Sequence, residues 1–185
     1  MRSIRNLRSL PVGHTLLADD LLEFHAARLL LLVRLCGTAN RIDGLTKLAK
    51  LDFFVRYPSF FADACIALRI APPPQTMTGV EAPMVRHHYG PWDKRYYHVL
   101  AFLEGAGLLS VTPAHGTAGY TFTLTEAGVA RANDLVASPA FEPVAVQMRA
   151  VKSAFGTRSG DSIKRFIYER FEQQVARRPM GEVIE

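Results

Sequence analysis

A chain of 185 residues that is 49% hydrophobic, 21% charged and 10% aromatic is long enough to bury one sizeable core and too evenly mixed to be fibrous or disordered. Twenty-two Lys and Arg against 17 Asp and Glu leave a formal charge of +5, spread along the chain, which permits a nucleic-acid partner without demanding one. The two cysteines, Cys36 and Cys65, lack C-x-x-C spacing, which argues against a disulfide scaffold or a cysteine zinc site and fits a reducing cytoplasm.

The segment 1–18 reads as a basic arm carrying Arg2, Arg5 and Arg8, without the apolar stretch of a secretory signal. Asp19 and Asp20 then precede Leu21, Leu22, Phe24, Leu29, Leu32, Val33 and Cys36, an acidic start followed by helical spacing up to Gly37. The longest purely apolar run in this helix, 29–33 between Arg28 and Arg34, is far short of the roughly 20 residues of a membrane span. After a polar break at 37–44, Leu45, Leu48, Leu51, Phe53, Phe54 and Val55 predict a second helix, with Lys47, Lys50 and Arg56 on its other faces and Pro58 as its stop. A shorter helix is expected over 60–70 and a Pro-rich surface loop over 71–83.

Gly90 and Pro91 read as the turn that opens the next helix, which Trp92, Tyr96, Val99, Leu100 and Leu103 line as far as Gly105 or Gly107. Alternation at 109–112 and 120–124 predicts a β-hairpin. Thr125 is placed to cap a helix over 126–136, which Pro139 follows. Two further helices, near 142–155 and 162–175, complete the chain, and no internal repeat or low-complexity segment is evident.

This order predicts a mainly α, α+β protein: a winged helix-turn-helix over 19–138 with a small hairpin wing, an insertion at 59–85 before the third helix, and a C-terminal helical extension at 139–185. The LTEAG stretch at 124–128 looks like the L-T-x-x-G junction of such domains. In a helix-turn-helix the third helix reads DNA, and Lys94, Arg95, Tyr97 and His98 are its candidate contacts. The presumed wing tip, 114–119, carries no Lys or Arg, which weakens groove reading. His87, His88, Asp93 and His98 lack metal-ligand spacing, no nucleotide-binding or hydrolase motif occurs, and neither metal, cofactor nor catalysis is predicted.

Two stretches carry a more specific signal, LTKLAKLDFFVRYP at 45–58 and MVRHHYGPWDKRYY at 84–97. Through them the chain resembles the small middle component of bacterial three-component ABC ATPase systems, including Lamassu-type antiphage defences. The resemblance implies a non-catalytic adaptor that joins an SMC-like ATPase to an effector such as a nuclease, with DNA reached through the complex. Candidate anchors for those partners are Phe53, Phe54, Arg56 and Tyr57 on the second helix and Arg86, Tyr89, Trp92 and Arg95 around the third.

Burial is the competing reading for Phe53, Trp92 and Tyr96. Arg56, Arg86 and Arg95 must instead reach water, a partner or an internal acid, with Asp52 and Asp93 as the acids that would make a salt-bridged corner. The alternative function is a homodimeric winged-helix transcription regulator. A third expectation is phosphate contact within the complex through Arg2, Arg5 and Arg8 or through Arg165, Arg170, Arg177 and Arg178, the second group being offset by Glu169 and Glu172.

Overall fold

The computed structural model describes residues 21–74, 84–87, 90–114, 119–172, 175 and 179–184. Its architecture is mainly helical with two small antiparallel sheets, one of three strands and one of two. Helix α1 (Leu22–Cys36) carries the five-residue apolar run at its centre and is buried on nearly every side. A helix apolar all round belongs in a core, and α1 packs against α2 (Leu45–Arg56), α4 (Tyr96–Gly105), α5 (Glu126–Ala137) and α6 (Glu142–Phe155).

Between α1 and α2 the chain turns at Ala39 and Asn40, both with positive φ, while Thr38 and Arg41 exchange backbone hydrogen bonds of 2.8 and 3.1 Å. The strand that emerges, β1 (Arg41–Asp43), was read from sequence as part of a polar break; three residues are too few to show a period. It pairs with β5 (Tyr120–Leu124), which in turn pairs with β4 (Leu109–Pro113), giving the antiparallel order β1-β5-β4.

The junction from β5 to α5 follows its sequence signals. Thr125 Oγ1 accepts from Gly128 N at 3.0 Å, capping α5, and donates to the Gly107 carbonyl at 2.7 Å. A Cβ on Gly128 would run into the Leu108 carbonyl oxygen, so the glycine permits α5 to approach the start of β4.

Helix α3 (Pro58–Leu68) follows α2 directly, and Arg69 ends it in the left-handed conformation. One expectation is corrected here: Gly90, Pro91 and Trp92 do not open a helix. They form strand β3 (Gly90–Trp92), antiparallel to β2 (Val85–His87), and α4 begins only at Tyr96. The cause is tertiary. Gly90 takes φ +89, with Tyr168 and Lys50 side chains standing close to where a Cβ would project, and the Pro91 carbonyl accepts from Lys50 Nζ at 2.8 Å.

The C-terminal helices α6 and α7 (Gly160–Arg170) share this core, α6 lying on α1, α2 and α3 and α7 on α2 and β3. Phe54 stacks face to face on Phe155 at 4.5 Å. Two lysines cross-cap helix ends: Lys152 donates to the Cys36 carbonyl at the end of α1 at 3.1 Å, and Lys47 to the Gly156 carbonyl after α6 at 2.8 Å. Among the described residues, no helix is long and apolar enough to cross a membrane.

Candidate functional site

Helix α2 is covered by α1, α3, α6, α7 and β3, and its charged residues therefore need partners inside the protein. Asp52 is fully buried. Its Oδ1 accepts from Arg28 Nε of α1 at 3.0 Å and its Oδ2 from the Tyr96 hydroxyl of α4 at 2.8 Å. One helical turn later, Arg56 Nη1 lies 3.7 Å from Asp52 and donates to Asp93 Oδ2 at 2.7 Å. Asp93 also accepts from the Arg95 backbone and side chain at 2.9 Å. His25 lies between two guanidinium groups, its Nδ1 2.9 Å from Arg28 Nη1 and its Nε2 2.7 Å from Arg95 Nη1; guanidinium nitrogens only donate and a neutral imidazole accepts at one ring nitrogen, so one of the two contacts is a hydrogen bond.

This network joins α1, α2 and the N-terminus of α4. Burial alone would raise the Asp93 carboxyl, but the Arg95 hydrogen bonds together with the Arg56 and Arg95 charges carry it well below the usual carboxylate range. Tyr96 moves the other way, pushed far up by burial and by the Asp52 charge beside it. The ionised Asp93 and the guanidinium groups are thus held against one another, and with the Asp52 hydrogen bonds they fix the relative placement of three helices.

Beside the network sits Lys50, fully buried and with the Pro91 carbonyl as its hydrogen-bond acceptor. Its ammonium lies 5.9 Å from the centre of the Trp92 ring. Burial, followed by the nearby Lys164 charge, brings its pKa down to about 7. Trp92 is stacked on its other neighbours as well, with His87 at 5.1 Å and Tyr96 edge-on at 5.5 Å.

The candidate anchors fall into three groups. Phe53, Phe54, Arg56 and Trp92 are buried and offer no surface to a partner, because α2 is enclosed; for Phe53, Trp92 and Tyr96 the burial reading holds. Tyr57 and Arg86 are half-buried, Tyr57 accepting from Met84 N at 2.6 Å and donating to the Ile184 carbonyl at 3.0 Å. Arg95 keeps a third of its side chain exposed but is committed to Asp93 and His25. Tyr89, Arg2, Arg5, Arg8, Arg177 and Arg178 lie outside the described residues, while Arg165 and Arg170 are exposed.

Lys94, Tyr97 and His98 are exposed on the outer side of α4 and the turn before it. Tyr97 is 63% exposed and Phe102, further along the helix, 39%. Tyr97 and Phe102 stand five positions apart on α4, about 140° round the helix, and belong with Ile66, Ile70 and Tyr120 to the large apolar side chains exposed among the described residues. Among the described residues no group of three or more His, Cys, Asp or Glu side chains is arranged to hold a metal ion.

Sequence reasoning missed His25, Arg28 and Lys50. The signal for the first two was a charged and a titratable residue three apart, just ahead of the five-residue apolar run of α1. Comparison with protein-family models, curated proteins and solved structures gives no match to this chain.

Proposed function

We propose that the chain is a non-catalytic adaptor subunit, built on a winged helix-turn-helix, that links an SMC-like ABC ATPase to an effector in a bacterial cytoplasmic antiphage defence complex. One observation carries the reading: the two motifs behind the resemblance meet in a single corner. Lys50 bonds to Pro91, Asp52 to Tyr96, Arg56 to Asp93 and Tyr57 to Met84, so polar residues of 45–58 find their partners in 84–97. A pair of motifs that serve each other is a scaffold, and its ionisable groups are engaged in holding it. The winged-helix part of the proposal draws support from the chain order α1, β1, α2, then α4, β4 and β5 after the intervening α3, β2 and β3, with the strands paired as β1-β5-β4. Tyr97 and Phe102 then supply the exposed anchors for a protein partner.

A regulator that binds DNA is the second reading, favoured by the exposure of Tyr97 and His98 on α4 and of Lys94 in the turn before it. Co-expression with the neighbouring genes and affinity capture separates the two. The adaptor reading expects a large ATPase to be recovered. Capture of a homodimer alone, binding its own promoter with a steep salt dependence, overturns it in favour of the regulator.

A further inference from the structure

The edge of β2 that faces away from β3 is occupied by the chain's own residues 181–184. Arg86 N donates to the Glu182 carbonyl, Gly181 N to the Arg86 carbonyl and Ile184 N to the Met84 carbonyl, each at 2.8 Å. Val85 and Val183 form the antiparallel bridge pair between them. Ile184 is fully buried while Val183 is 38% exposed, so one side chain anchors the segment. Tyr57 clamps both sides of the seat through one hydroxyl, which accepts from Met84 N and donates to the Ile184 carbonyl.

We propose that the β2 edge is a strand-acceptor site for an extended peptide segment bearing a large aliphatic residue at the Ile184 position, and that residues 181–184 fill this site in cis. Backbone pairing to a strand edge is independent of sequence, and the register is set by whichever side chain reaches the buried position. Here the edge supplies the Met84 and Arg86 carbonyls and the Arg86 N–H, and Tyr57 adds a side-chain donor. Four residues with one buried side chain form a small cooperative unit compared with the helical core. Opening this unit bares an unpaired edge that is competent to pair with another segment. The inference rests on the geometry of the segment and is independent of the proposed ATPase complex.

The test uses the full chain and a synthetic peptide of residues 179–185, with the same peptide carrying Ile184→Asp as control. Trp92, the single tryptophan and the cross-strand partner of Val85, reports binding by fluorescence. In the Ile184→Asp protein, the Arg86 amide is expected to lose hydrogen-exchange protection about tenfold or more while α1 amides keep theirs. That protein is also expected to bind the unaltered peptide about tenfold more tightly than the parent does, with the control peptide binding neither. Ile184→Ala provides a milder release should the aspartate unfold the chain. Loss of protection throughout the core in both variants, or a released edge that ignores the peptide, overturns the proposal.

Discussion

Arg56 and Asp93, 37 residues apart in the chain, meet at 2.7 Å with both side chains buried, and this pair ties the end of α2 to the start of α4. A buried charge left without its partner costs about 3 to 5 kcal/mol, whereas removing both partners costs far less. Arg56→Met and Asp93→Asn are each expected to destabilise by that amount in urea unfolding. The double variant should cost less than the two combined by at least about 1 kcal/mol; additive effects would refute the coupling. Because the folded-state Asp93 carboxyl lies below its unfolded value, its contribution is present above about pH 4 and is lost as the pH falls further, so Asp93→Asn should flatten the acid limb of the stability curve.

Lys50 has the opposite sign. Its pKa falls from 10.5 unfolded to about 7 folded, so the folded state carries the full cost of the buried charge below pH 7 and sheds it as the pH rises towards 10.5. The shift corresponds to an upper bound of about 4 to 5 kcal/mol. Lys50→Met, which keeps the aliphatic stem against Trp92, should therefore stabilise most at pH 6 and show a shrinking advantage by pH 10. Thermal unfolding of both proteins across that range measures the difference, and a pH-independent gap would exclude the linkage.

Two backbone positions call for opposite substitutions. Gly128→Ala places a methyl against the Leu108 carbonyl and should cost about 2 kcal/mol or more, with the loss read as a lower urea midpoint. Ala39 sits at φ +50 in the turn before β1, where glycine is more comfortable, so Ala39→Gly should stabilise by about 0.5 to 1 kcal/mol.

Tyr97→Ala and Phe102→Ala remove exposed aromatic rings and should leave unfolding within about 0.5 kcal/mol of the parent. If α4 carries the partner contact, capture of the ATPase falls about tenfold or more in each. Retained capture would move the interface off this helix.

The sequence revealed the elements whose signals are local. Thr125 announced its cap at the start of α5, and the periodicity of α2 was plain; the close approach that Gly128 permits appeared only in the structure. What that periodicity concealed was that Lys50 and Arg56 point into protein: their partners, Pro91 and Asp93, lie about 40 residues downstream, beyond the reach of any helical spacing. Asp52 and Asp93 were recognisable as internal acids because several arginines needed them. Arg28 and His25 were harder to place, since a residue at the end of an apolar run looks like its boundary. Trp92 was read as helical from its spacing with Tyr96, yet pairing with Val85 placed it in a strand.

The burial of both cysteines gives the molecule a built-in clock. Cys36, its thiol donating to the Met148 carbonyl at 3.2 Å, is sealed between α1 and α6, and burial pushes its pKa far up. Cys65 is closed off against the α3 side of the same core. A thiol-modifying reagent at neutral pH can therefore mark Cys36 only when those helices part, and the rate of its modification counts how often the native protein breathes.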